Sequence, residues 1–185
     1  MQRAGLCSML VLAVVASGLT ARHAMAAGAS DLLTTGASAP NFTLPSQENK
    51  QVSLSQYKGK WVVLYFYPKD KTSGCTLEAH NFQRDQAQYD KQNAAVLGVS
   101  LDTAESHKSF CTQENLTFKL LADPKHKVVD KYGVPVFAMG PFHAAKRVTF
   151  LISPAGKVVK VWPEVKPANH SEEVLAAITE AKTKG

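Results

Sequence analysis

Cysteine is scarce in this sequence, with three residues in 185, and glycine and proline are modest at 11 and 9. That scarcity excludes a disulfide-dense miniprotein and a collagen-like fibre, while a composition 45% hydrophobic and 19% charged excludes a disordered tail. A long hydrophobic run is also missing. The one candidate, Leu6 to Val15, is soon interrupted by Gly18, Thr20 and Arg22 and falls short of the ~20 apolar residues of a spanning helix. No internal repeat is visible.

That first run has another reading. Gln2 and Arg3 form a short positive start and Ala24-Met25-Ala26 an A-x-A cleavage site, the pattern of a secretory signal peptide over residues 1–26. The mature chain is then expected to begin at Ala27 in an exported protein, in a bacterium the periplasm. A flexible lead over 27–36 and one domain over 37–185 would follow. Loss of Arg3 and Arg22 lowers the net charge from +6 to +4, an excess that serves solubility rather than nucleic-acid binding. Cys7 leaves with the signal, so Cys75 and Cys111 are the mature cysteines, in a compartment that oxidises thiols.

Along the domain, Phe42 to Leu44 and Val52 to Leu54 flank a polar turn and predict a small hairpin. Trp61 to Tyr67 is an unbroken β-branched and aromatic run, the mark of a central strand covered on both faces, and Pro68 ends it. A helix is expected from Thr72-Ser73 through to Asn93, a second buried strand over Ala95 to Ser100, and a helix that starts on the D-x-x-E pattern of Asp102 to Glu105 and carries Cys111. Phe118 to Leu121, a short helix over His126 to Tyr132, two strands around Ser153 to Gly156 and a terminal helix over Ser171 to Lys182 complete the order. Strands alternating with helices describe a single α/β domain.

Cys75 stands just inside the first helix, where unpaired backbone N–H groups and the positive end of the helix dipole favour a negatively charged sulfur. Gly74 lets the backbone approach whatever the sulfur attacks, Thr72 is placed to aim a hydroxyl at the same spot, and Pro68 walls off one side. A structural disulfide is the plainer reading of Cys75 and Cys111, since closing their 36-residue loop would be worth roughly 4 kcal/mol. Against it, a strand-to-helix turn is where reactive thiols concentrate.

The string from Tyr65 to Ala79, with Pro68, Thr72 and Cys75 in a P-x-x-x-T-x-x-C arrangement, resembles the active-site motif of peroxiredoxins in the form used by the bacterioferritin-comigratory (PrxQ) subfamily of the AhpC/TSA family. Leu120 to Pro124, Val128 to Gly133, and Arg147 to Ile152 with Gly156 follow the same subfamily, so the resemblance runs from about Ala37 to the end of the chain. It implies a thioredoxin-like fold, a central mixed sheet flanked by helices with an N-terminal β-hairpin, and a thiol peroxidase that reduces hydrogen peroxide and organic hydroperoxides. Cys75 would attack the peroxide and become a sulfenic acid, Thr72 would hold the substrate, and Pro68 would shield the sulfur. Arg147 would stabilise the thiolate and the leaving oxygen, and the Gly74 and Cys75 amides would complete the site. Glu78 would orient the arginine.

The sequence departs from the subfamily in one respect. The position five residues after Cys75, where many members carry their resolving cysteine, is His80. Some members place it in the next helix, so the resemblance implies an intramolecular disulfide with Cys111, recycled by thioredoxin or a thioredoxin-like reductant. Both cysteines are expected on helices, so local unwinding would be required to meet. The alternatives are a one-cysteine peroxidase served by an external thiol, and a redox-sensing or thiol-disulfide exchange protein without C-x-x-C. The subfamily implies a monomer, and neither a cofactor nor stable membrane association is expected. His80, His107, His126, His143 and His170 are scattered without metal-ligand spacing, so no metal is expected. Phe137, Met139 and Phe142, in a loop before Arg147, are candidates for a substrate entrance, with ordinary packing the simpler reading.

Overall fold

A computed structural model describes residues 31–184. The expected signal segment and its cleavage site lie outside the described residues. Strands β1 (Thr43–Pro45) and β2 (Gln51–Ser53) form the N-terminal hairpin, followed by a 3-10 turn over Leu54–Tyr57 and strand β3 (Trp61–Phe66). Then come α1 (Ser73–Arg84), α2 (Gln86–Lys91), β4 (Ala94–Ser100), α3 (Ala104–Glu114), β5 (Lys119–Ala122) and α4 (Lys127–Lys131). The chain ends with β6 (Val136–Met139), β7 (Phe142–Ala145), β8 (Val148–Ile152), β9 (Val158–Trp162) and α5 (His170–Thr183).

The main sheet has the order β5-β4-β3-β8-β9, with β3, β4 and β5 parallel and β8 and β9 antiparallel to their neighbours. Strand β3 is central and buried along its whole length, because successive side chains serve opposite layers. Trp61, Val63, Tyr65 and Tyr67 pack with Cys75, Phe82, Phe110, Cys111 and Ile178, from α1, α3 and α5. Val62, Leu64 and Phe66 pack with Phe42, Val52, Val129 and Tyr132, from the hairpin and α4. Both cysteines thus lie on one side of the sheet. The hairpin also covers the edge of β5: Gln47 donates its backbone N–H to the Leu120 carbonyl and its side chain to the Phe118 carbonyl, and it accepts from the Leu120 amide.

Three sequence expectations are revised. The first helix breaks at Asp85, whose backbone (φ −94, ψ 5) separates α1 from α2 while its carboxylate holds Arg84. The cap of α3 is Thr103, which accepts from the Ser106 amide, and not Asp102, whose carboxylate is engaged elsewhere. The loop before Arg147 is a β6-β7 hairpin, turned at Gly140 (φ 61) and Pro141. Over the described residues 31–36 of the lead, Leu32 and Leu33 pack on the core, Leu33 N bonds the Tyr132 carbonyl and Gly36 N the Val158 carbonyl.

Candidate active site

Cys75 lies in the first turn of α1, directly after the loop that leaves β3. It is 2% exposed, unpaired, and packed in the apolar layer beneath the helices. Thr72 occupies the cap position with an extended backbone (φ −84, ψ 147), yet its side chain does not cap the helix. Its hydroxyl donates instead to the Lys69 carbonyl at 3.0 Å. With its hydrogen committed there, the oxygen keeps its lone pairs for an incoming O–H donor. Pro68 is half-buried and lines a cleft with Lys69, Pro124, His126 and Phe142.

Arg147, at the junction of β7 and β8, completes the group. Its Nη2 donates to Cys75 Sγ at 3.2 Å, and its Nη1 donates to Glu78. Glu78, in the second turn of α1, is 1% exposed and so is a buried acid. Burial raises its pKa to about 7 even though the Arg147 charge and hydrogen bond pull the other way. Burial works against the charge of Arg147, and Glu78 and Cys75 more than restore it, so its pKa stays above the ordinary value. A Cβ on Gly74 would stand 3.5 Å from Arg147 Nη2 and 3.9 Å from Pro167 Cγ, so glycine leaves a gap between guanidinium and helix. Asn81 fixes that flank by donating to the carbonyls of Pro167 and Ala168, both at 2.9 Å.

Cys111 is in the last turn of α3, 7% exposed and unpaired, in the same apolar layer as Cys75. Burial pushes its thiol up to about 12, helped by the negative charge of Asp70. Tyr65 lies in this layer too, with a buried hydroxyl that has no hydrogen-bond partner among the described residues. Its ionisation is opposed first by burial, then by negative charge at Glu78, Cys75, Cys111 and Asp70. Gly98 makes room for it: a Cβ there would stand 2.7 Å from the tyrosine oxygen and 2.6 Å from Leu120 Cδ2.

The structure also gathers residues that the sequence reading left out. Asp70, 6% exposed, accepts from Tyr67 Oη at 2.7 Å and from Ser106 Oγ at 2.7 Å, and its carboxylate lies 2.9 Å from His107 Nδ1. Burial would raise the Asp70 pKa, but the His107 hydrogen bond and charge, with Ser106 and Tyr67, hold it below the ordinary value. Asp102 anchors the same loop, accepting from the Asp70 amide at 2.9 Å and from Lys69 Nζ at 3.0 Å. Of the other histidines, His170 is buried between Phe82 and Trp162 with Nε2 2.8 Å from Thr149 Oγ1. Burial, with the nearby Arg147 charge, lowers its pKa to about 4, which keeps it neutral. His80 and His143 are on the surface and His126 is half-buried. Phe137 and Phe142 are 43% and 53% exposed, and Lys69 Nζ sits 4.4 Å over the Phe142 ring. Among the described residues no group of three or more His, Cys, Asp or Glu could hold a metal, and no helix is long and apolar enough to cross a membrane.

Comparison with known proteins gives this geometry a context. Residues 35–161 match the AhpC/TSA family. The chain is 44% identical over 147 residues to a putative peroxiredoxin bcp of Coxiella burnetii, covering 77% of this chain and 97% of that protein. It is 38% identical over 152 residues to peroxiredoxin Bcp of Bacillus subtilis, covering 80% and 97%. Among solved structures, a cysteine-to-serine mutant of Xylella fastidiosa PrxQ superimposes with a TM-score of 0.77 at 34% identity, covering 83% of this chain and 99% of that one. The bacterioferritin comigratory protein of Xanthomonas campestris, described for its alkyl peroxide reduction activity, gives 0.70 at 35% identity over 76% and 91%.

Proposed function

The chain belongs to the AhpC/TSA family as a peroxiredoxin of the Bcp/PrxQ kind, a thiol peroxidase with an antioxidant function, and we propose that Cys75 is its peroxide-reducing sulfur. The observation that carries the assignment is the guanidinium of Arg147, 3.2 Å from Cys75 Sγ and braced on the other side by Glu78. A fixed cation beside the sulfur meets the charge that develops on the departing oxygen. Hydrogen peroxide and alkyl hydroperoxides are the substrates. Thr72, whose hydrogen is engaged by Lys69, accepts the hydroperoxide O–H, and the Gly74 and Cys75 amides face the reacting oxygens.

In the first step the Cys75 thiolate attacks the terminal peroxide oxygen. The S–O bond forms as the O–O bond breaks, and the leaving hydroxide or alkoxide takes a proton from solvent to become water or the alcohol. In the second, the Cys111 sulfur attacks the Cys75 sulfenic acid, an S–S bond forms, and the oxygen leaves as water. A thioredoxin-like dithiol then supplies two electrons and two protons, returning both thiols and becoming a disulfide itself. The high pKa of buried Cys111 supports a resolving step that waits for the end of α3 to open, since an exposed thiol ionises more easily. The enzyme works as an exported periplasmic protein, a reading supported by the A-x-A pattern at Ala24 to Ala26, and as a monomer without stable membrane association, which the subfamily resemblance implies.

The test is intact mass with peptide mapping after one equivalent of hydrogen peroxide is added to the reduced protein, alongside Cys75→Ser and Cys111→Ser. Loss of two hydrogens with a Cys75-Cys111 cross-link supports the two-cysteine cycle, and Cys111→Ser then stops with one oxygen on Cys75. Wild-type protein that only gains oxygen is a one-cysteine peroxidase using an external thiol. A Cys75 that stays reduced removes the assignment. Disulfide formation without turnover in the presence of a dithiol reductant would mark a redox sensor.

A further inference from the structure

The buried cluster around Asp70 has no part in the steps above, yet it connects their two halves. Asp70 lies on the loop between β3 and α1, two residues before Thr72, and Ser106 and His107 lie on α3, with His107 one helical turn before Cys111. Asp70 and His107 are 6% and 0% exposed, so the pair is shielded from solvent and from competing ions. The His107 Nδ1 is 2.9 and 3.1 Å from the two carboxylate oxygens, which assigns its proton to Nδ1, and Ser106 and Tyr67 donate to the same carboxylate. The loop is held at its next residue as well. Lys71, in the left-handed region at φ 62, donates from Nζ to Ser109 Oγ at 2.8 Å.

These bonds bind the substrate-holding loop and the helix of the second cysteine into one unit. The loop is kept where the Lys69 carbonyl orients Thr72, and α3 is kept wound around Cys111. We propose that Asp70 and His107 are positioning residues that clasp the Pro68–Thr72 loop to α3, favouring attack on peroxide and delaying the meeting of Cys75 with Cys111. The second half of this statement rests on the resolving role proposed for Cys111. Opening the clasp releases the loop and the helix together, so its strength divides the Cys75 sulfenic acid between disulfide and further oxidation by a second peroxide.

The experiment uses rapid mixing with hydrogen peroxide and quenched-flow mass analysis of the full chain. Compared are wild type, His107→Leu, His107→Asn and Ser106→Ala, each also in a Cys111→Ser background. His107→Leu removes the donor to Asp70, whereas His107→Asn keeps one at nearly the Nδ1 position. Oxidation of Cys75 in the Cys111→Ser background should slow about tenfold with His107→Leu and recover with His107→Asn. With Cys111 present, disulfide formation should be about threefold faster in His107→Leu, with less Cys75 sulfinic acid at excess peroxide. Ser106→Ala should move both rates the same way by less, and decides the matter if His107→Leu does not fold. Both rates unchanged in a folded variant overturn the clasp. If wild type forms no Cys75-Cys111 bond, the resolving role falls, and the oxidation rate in the Cys111→Ser background alone then decides whether Asp70 and His107 position the loop.

Discussion

Arg147 reaches Cys75 across 72 residues of sequence, placing Nη2 3.2 Å from the sulfur while Nη1 holds the buried carboxylate of Glu78. One planar side chain thus serves two acidic partners at once. Only a fork of fixed donors can do so, because a lysine ammonium is a single compact point. Arg147→Lys is therefore expected to lower kcat/KM for peroxide by roughly 10²-fold, the scale of losing an oxyanion donor. Stopped-flow oxidation of Cys75 measures it. A rate within twofold of wild type would show that the bidentate geometry is dispensable.

Thr72 separates two uses of a hydroxyl. Thr72→Ser keeps the oxygen and its bond to the Lys69 carbonyl and should stay close to wild type, whereas Thr72→Val keeps the shape and loses both. A lost hydrogen bond of 1 to 2 kcal/mol predicts about a tenfold fall in kcat/KM for Thr72→Val. Because the Thr72 side chain does not cap α1, the melting temperatures of the two variants should lie close together. A large drop in stability for Thr72→Val alone would assign the hydroxyl to folding.

Glu78 makes stability depend on pH in a defined direction. Its folded pKa of about 7 is above the ordinary 4.5, so the folded state holds the proton more tightly than the unfolded state. The stabilisation this gives is complete below pH 4.5 and is lost as pH rises through 7, with a span on the order of 3 kcal/mol. Denaturant unfolding from pH 5 to 8 should show wild type losing stability relative to Glu78→Gln over that window. Parallel curves would mean that Glu78 stays ionised throughout. His170 acts oppositely: its folded pKa near 4 is below 6.5, so its contribution is complete above 6.5 and falls away as pH drops through 4, but wild type and Glu78→Gln share it and it cancels in their difference.

Gly98 is required by its neighbours and not by its backbone. A methyl group there would meet Tyr65 at 2.7 Å and Leu120 at 2.6 Å, closer than atoms approach without displacement. Tyr65 shares the apolar layer with both cysteines, so Gly98→Ala should cost about 1 to 3 kcal/mol and also alter the rate of disulfide formation. Thermal unfolding and the oxidation assay together check this. Unchanged stability would mean that the ring shifts freely.

What the sequence displayed openly was whatever is local and continuous. The apolar run of β3 and the turn into Cys75 declare themselves over fifteen residues, Tyr65 to Ala79, where the structure has β3, Thr72 at the helix start and Cys75 in the first turn of α1. The β6-β7 hairpin was hidden because its strands are four residues long, half-exposed, and alternate little between apolar and polar. Asp102 looked like a helix cap, since a D-x-x-E pattern says nothing about an amide 32 residues away. Asp70 and His107 stand 37 residues apart and meet only because β3 and β4 run parallel side by side, which places the loop after one strand against the helix after the other. Neither residue carries a local mark of that encounter.

The alternation along β3 divides the protein's labour. Tyr65 and Tyr67 stand with the cysteines, and Val62, Leu64 and Phe66 stand behind them with the hairpin and α4. The sheet is a partition, and the rear chamber can be rebuilt for heat resistance or expression without entering the room where the sulfur works.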